Sequence, residues 1–204
     1  MAPRGQGSYS LKTKNGYDLF EASSAIQKSI RRGDEETAMF FVTELWMSGY
    51  DEYAWKRLKI MSSEDVGLAE PNISANIHAL YQMYLEQTKK TDGKHNPERL
   101  FLTHAVLMLC RAKKSRLVDW TLVKNWRAHE AELLAIPDYA LDKHTQRGRR
   151  MGRGFKHFFE EGSKLENHVD LPGEKEARAA AGKIMKKLEG SDTSDAVQDD
   201  MFEK

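Results

Sequence analysis

The chain has 204 residues, enough for one substantial core and a tail, and its 40% hydrophobic and 31% charged content describes a charge-rich globular protein. With 32 basic and 31 acidic residues the net charge is +1, so overall charge gives no argument for nucleic acid or a membrane, and only its distribution can. Apolar runs fall far short of the ~20 residues that a membrane span needs, and the single cysteine, Cys110, excludes an internal disulfide and fits a reducing cytoplasm.

Residues 1–16 contain Gly and Lys without periodicity and are expected to form a flexible arm, and the opening Met1–Gly7 lacks the apolar core of a secretory signal. A first helix is predicted from Asp18, with Phe20, Ile26 and Ile30 among its apolar positions, ending at Gly33. Asp34 followed by Glu35 and Glu36 reads as an N-cap with acids placed well against the helix dipole. The second helix carries Ala38, Phe41, Val42, Leu45 and Trp46 at i, i+3, i+4, i+7, i+8 and stops at Gly49. Asp51 is expected to cap a third, with Ala54, Leu58 and Met61 on one face. Pro71 suits the opening of a fourth, striped by Ile73, Ile77, Leu80, Tyr81 and Tyr84. After a turn cluster at 91–97, a fifth helix runs from Pro97 with Leu100, Phe101, Ala105, Leu109 and Ala112, and a sixth covers about 117–134 until Pro137 breaks it.

No segment shows the period-2 alternation of strands, so the predicted fold is all-α, an antiparallel helical bundle with short connections. Cys110 lies in the apolar run 106–110 and reads as a buried, inert thiol. Trp46, Trp55, Trp120 and Trp126 sit at helical positions as core or interface anchors. From Asp138 the character shifts. Lys143, Arg147, Arg149, Arg150, Arg153 and Lys156 occupy a span with no acid after Asp142, interrupted by Gly148, Gly152 and Gly154 and followed by Phe155, Phe158 and Phe159. A last helix is expected over Glu174–Leu188, and an acidic, apolar-poor tail to Lys204 should be disordered. The divisions are thus an arm over 1–16, a helical domain over 17–135, a basic extension over 136–171, a terminal helix over 172–190 and the tail over 191–204.

Three stretches carry a family resemblance: Ser24–Asp34, then Ala38–Trp46 with Ala54–Ile60, and above all Ser62-Ser63-Glu64-Asp65-Val66-Gly67-Leu68-Ala69-Glu70-Pro71. Together they resemble the C-terminal region of the clamp-loader-like AAA+ ATPases of the replication-associated recombination protein A (RarA, or MgsA) family, over roughly Tyr17–Lys114. The resemblance implies a helical collar that joins subunits, tetrameric in the family, with homo-oligomerisation and DNA, a separate ATPase or a single-strand-binding protein as partners. Where the family reads Ala-Pro-Lys-Ser-Asn, this chain has Ala112-Lys113-Lys114-Ser115-Arg116, keeping the lysine and serine but not the proline and asparagine, and its continuation past Ile136 departs from the family's ending.

The chemistry is equally marked by what is missing. No G-x-x-x-x-G-K-[ST] loop occurs, so the backbone cradle and lysine that hold nucleotide phosphates are absent and no ATPase activity or cofactor is expected. His129-Glu130 has no histidine at i+4, and the histidines suggest no metal site. Within the family motif, Ser63, Glu64, Asp65 and Gly67 read as a helix–turn–helix corner or a subunit contact. Ser62 or Ser63 would bond the helix end, Gly67 would take a left-handed position, and the two acids would accept from a neighbouring helix or arginine. Adjacent acids on a helix point about 100° apart, a poor arrangement for paired acid–base work.

The basic span is the candidate binding site. If 145–159 is helical, Arg149, Arg153 and Lys156 share a face suited to phosphate oxygens, and Phe155 or Phe158 could stack on a base. The alternative is that the arginines pair with acids of the body or tail while the phenylalanines dock inward. Three functions follow: a non-enzymatic oligomerisation and DNA- or partner-binding module of replication, recombination and repair; an enzyme or binding protein for a nucleotide or phosphorylated ligand using the 138–157 polar segment, with Asp142, His144 and the arginines lining a cleft; and a pure scaffold.

Overall fold

The computed structural model describes residues 11–89, 96–129, 131 and 133–189, and the chain divides into two compact units, Met1–Glu132 and Leu133–Lys204. Among the described residues there is no strand beyond one isolated bridge, so the all-α prediction holds.

In the first unit α1 (Leu19–Arg32) opens where Asp18 accepts from the Phe20 and Glu21 amides, and it closes at Gly33 in the left-handed conformation (φ 71°, ψ 19°). Asp34 caps α2 (Glu35–Met47) by accepting from the Thr37 amide at 3.0 Å, as predicted. The start of α3 (Asp51–Met61) differs from expectation. Tyr50 is the cap residue and bonds no amide, while Asp51 is the first helical residue and its carboxylate accepts from the Tyr84 hydroxyl at 2.7 Å. Then come a wide π-type turn (Ser62–Val66), a 3-10 turn (Gly67–Ala69), α4 (Ile73–Thr88), α5 (Glu98–Arg111) and α6 (Leu117–Ala128). Most of the predicted turn cluster at 91–97 lies outside the described residues.

One core unites α1 to α5. Leu19, Ala22, Ile26 and Ile30 meet Ala38, Val42 and Leu45 of α2, Ala54, Trp55, Leu58 and Met61 of α3, and the inward rows of α4 and α5. Trp55 is fully buried, its ring 5.4 Å from Tyr81 and 5.3 Å from Tyr84. Two predicted core positions face out instead: Phe20 is 59% exposed and Leu100 69%, because Leu19 and Leu102 hold the inward register. Residues 11–16, expected within the flexible arm, fold as a turn against α2, where the buried Glu44 accepts from the Asn15 amide at 2.8 Å.

α6 contributes no buried residue. Trp120 and Trp126 are 60% and 79% exposed, so neither is a core anchor. Trp46, by contrast, packs against the core with the Arg99 guanidinium 4.1 Å from its ring centroid.

The second unit contains a 3-10 turn (Asp138–Ala140), α7 (Gln146–Arg150), α8 (Phe155–His157) leading into a wide turn (Phe158–Gly162), and α9 (Glu174–Glu189). α9 fits the predicted terminal helix. The predicted acidic tail lies outside the described residues.

Candidate nucleic-acid interface and the family corner

The Ser62–Pro71 motif is a junction of three elements. Ser62 donates to the Lys59 carbonyl at 2.8 Å and its hydroxyl lies 3.0 Å from that of Ser74 on α4; Ser63 lies 3.3 Å from Ser74. Asp65 is almost wholly buried and accepts from Arg31 Nε of α1 at 2.6 Å and Gln27 Nε2 at 3.3 Å. Glu64 takes the same guanidinium through Nη2 at 2.7 Å. Two adjacent carboxylates therefore hold one planar cation by two separate nitrogens, a geometry that arginine's fixed fork allows. Arg57 Nη2 donates to Gln27 Oε1 at 2.7 Å, extending the network back to α3. Arg116 approaches from the start of α6, within 3.7 Å of Glu64 and 3.8 Å of Asp65, and is itself paired with Asp119.

Gly67 has a reason different from the one predicted. Its φ is +49° but its ψ is −125°, so it is not in the left-handed helical region. A Cβ there would stand 2.9 Å from Val118 Cγ2, so glycine serves both the backbone angle and the close approach of α6. The retained Lys114 and Ser115 belong to the same junction. Lys114 Nζ donates to the carbonyls of Leu109, Cys110 and Ala112 at 2.7, 3.0 and 2.7 Å, closing the end of α5. Burial lowers its pKa. The Ser115 amide donates to the Asp65 carbonyl at 2.9 Å, and its hydroxyl accepts from the Leu117 amide at 3.2 Å. Sequence reading placed the acids against an arginine without identifying Arg31 and Arg116. A signal existed in the motif's company, since Arg31 lies in the first matched stretch and Arg116 directly follows the retained Lys114-Ser115 pair.

The basic span does not form the predicted continuous helix. α7 ends at Arg150, Gly152 turns the chain with φ +71°, and Gly154 is extended before α8. Glycine's low helix propensity and freedom at positive φ decide the break. Arg153 therefore leaves the proposed stripe. Its guanidinium donates to the Asp138 carboxylate at 2.6 Å and to the carbonyls of Asp138 and Leu141 at 2.7 Å each, and its side chain is 15% exposed. Lys143 is also engaged, its ammonium 3.0 Å from the Phe155 ring centroid. Arg147, Arg149, Arg150 and Lys156 are exposed and form no ion pair among the described residues.

The turn that carries α7 and its three arginines is tightly specified. Thr145 caps α7 by accepting from the Gly148 amide at 3.0 Å. Gly148 is buried against the Asp142 backbone, where a Cβ would fall 1.8 Å from the Asp142 carbonyl oxygen. The Asp142 carboxylate accepts from the His144 amide at 2.9 Å and the His144 ring meets Phe158 edge-on at 5.3 Å. Asp142 and His144 are thus parts of a turn that presents α7. Phe155, Phe158 and Phe159 are half-buried, between the stacking and docking roles foreseen for them.

The one grouping of metal-capable side chains among the described residues was not foreseen: His168, Asp170 and Glu174. His168 Nε2 lies 3.2 Å from Asp170 and 3.6 Å from Glu174, and Lys175 sits 3.1 Å from Asp170. His168 and Asp170 are exposed and Glu174 half-buried, and the Lys175 bond holds the Asp170 carboxyl below its usual range. A cavity of about 420 Å³ beside α2, lined by Lys14, Asn15, Phe40 and Met47 among others, lies on neither the corner nor the basic span.

Comparison with known proteins agrees with the corner. Residues 33–174 match the family model described as MgsA AAA+ ATPase C terminal. Replication-associated recombination protein A of Bacillus subtilis is 28% identical over 146 residues, 69% of this chain and 32% of the relative. An uncharacterised AAA domain-containing protein of Mycobacterium tuberculosis is 29% identical over 152 residues, 71% of this chain and 31% of the relative. The ATPase WRNIP1 of Dictyostelium discoideum is 26% identical over 172 residues, 78% of this chain and 18% of the relative. The chain spans a third or less of the length of these relatives.

Proposed function

Since the chain belongs to the MgsA AAA+ ATPase C-terminal family, we propose that it is a non-enzymatic module of replication and recombination that self-associates and binds nucleic acid through its basic span. The observation that carries the binding role is the set Arg147, Arg149 and Arg150 on α7, which follows a turn fixed by Asp142, Thr145 and Gly148, together with Lys156 on α8, all exposed and without ion pairs among the described residues. Cations held on a rigid support and left without acids suit phosphate oxygens, whose counterions they displace. Arg153 and Lys143 have structural duties: one staples the turn to Asp138, the other covers Phe155. The family relationship supports the replication and recombination setting, because the name of the Bacillus subtilis relative places that protein there. Self-association is supported by the exposed apolar residues of α6, Leu117, Trp120, Leu122 and Trp126.

The test is fluorescence anisotropy with labelled single-stranded and forked DNA over a salt series. Wild type should bind with an affinity that falls steeply with salt, and Arg147→Ala/Arg149→Ala/Arg150→Ala should weaken binding and flatten the salt slope by about 2–3. Absence of binding at low salt, or a triple variant equal to wild type, contradicts the reading.

A further inference from the structure

We infer that the acidic segment 190–204 of the same chain seats on Arg147, Arg149, Arg150 and Lys156 and competes with nucleic acid for them; the competition rests on the nucleic-acid reading above, the seating does not. Charge complementarity carries the inference. Over 143–156 the sequence has six basic residues and no acid, and the structure leaves four of them exposed without ion pairs among the described residues. Over 190–204 it has five acids, Asp192, Asp195, Asp199, Asp200 and Glu203, against one lysine. Residues 160–174 match it, with five acids against one lysine, but there Glu161 is paired with Lys164 and Asp170 with Lys175. The two segments flank α9 in the sequence, and about 15 residues can extend to ~50 Å.

Tethering makes weak attraction effective. Each exposed carboxylate–guanidinium pair is individually slight, but a tail joined to the same unit is present at an effective concentration on the order of millimolar. Five carboxylates within fifteen residues offer a short run of anionic oxygens, as a phosphate backbone does, without its bases. The nearer lysines of α9 are a poorer target, because Glu174, Glu176 and Glu189 are interspersed with them. The result is a threshold: nucleic acid must displace the tail, so long or clustered phosphates compete well and isolated anions poorly.

The test keeps the full chain and compares wild type with a neutral-tail variant, Asp192→Asn, Asp195→Asn, Asp199→Asn, Asp200→Asn and Glu203→Gln. Without nucleic acid, zero-length carbodiimide coupling read by mass spectrometry should join a tail carboxylate to Lys156, and Arg147→Ala/Arg149→Ala/Arg150→Ala should reduce that product. With a labelled oligonucleotide, the neutral tail should tighten binding about three- to tenfold at low salt, the gap closing as salt rises. Coupling confined to Lys183 and Lys187, or equal oligonucleotide affinities for the two tails, overturns the inference and leaves nucleic-acid binding standing. Coupling to Lys156 in a protein that binds no oligonucleotide upholds the seating and overturns the nucleic-acid reading instead.

Discussion

Asp65 is the most deeply buried acid among the described residues, placed at the corner and held by Arg31. Asp65→Ala leaves that guanidinium with Glu64 alone, and a loss of about 2–4 kcal/mol is expected in urea denaturation. Gly67→Ala should cost about 1–3 kcal/mol through strain at positive φ and the contact with Val118. Burial pushes the Cys110 thiol up to about 11, so it should resist thiol reagents at neutral pH in the folded protein and react fully once unfolded. Reaction at equal rates in both states would contradict its placement. Hydrogen bonds lower the carboxyl pKa values of Asp34, through Thr37, and of Glu44, through Thr13 and then Asn15. Because the folded values lie below the unfolded ones, the unfolded chain binds more protons at acid pH. Their contribution is therefore complete above about pH 4.5 and is lost as pH falls through the folded values. Denaturation midpoints measured from pH 7 to 3 should decline over that window, and Glu44→Gln should flatten the decline.

At the scale of elements, helices announced by a cap and a 3.6-residue stripe were legible. Asp34 with its two following acids, and the Ala38–Val42–Leu45 row, stand where their chemistry puts them. Register was less legible where two apolar residues adjoin: Leu19 and Phe20 both satisfy the stripe, and only packing selects Leu19. Asp51 shows why a capping residue can mislead, since a tertiary partner, Tyr84, outcompetes the local amide. The basic span failed as a helix because Gly152 and Gly154 outweigh the periodicity of its charges, and that break turns Arg153 inward. The Lys114 closure of α5 was not readable at all, because a lysine beyond a helix end has many possible partners. Lys114→Met removes three bonds to carbonyls and should cost about 1–3 kcal/mol, read as a lowered thermal midpoint. An unchanged midpoint would assign that closure to the backbone alone.

For the whole molecule, the first unit offers a core, a corner network and an apolar α6, while the second offers cations on a stiff turn. Neither carries a phosphate-cradling loop in its sequence, and among the described residues no helix is long and apolar enough to cross a membrane. The proposed function is one of holding: the exposed apolar side chains of α6 for copies of the chain, the exposed arginines of α7 for a polyanion. Native mass spectrometry of the intact chain, alone and with a short forked DNA, tests that view most directly. The account predicts a multimer that persists on dilution to micromolar protein and gains the mass of bound DNA, the gain vanishing at high salt. A monomer at every concentration with the DNA running free would contradict it.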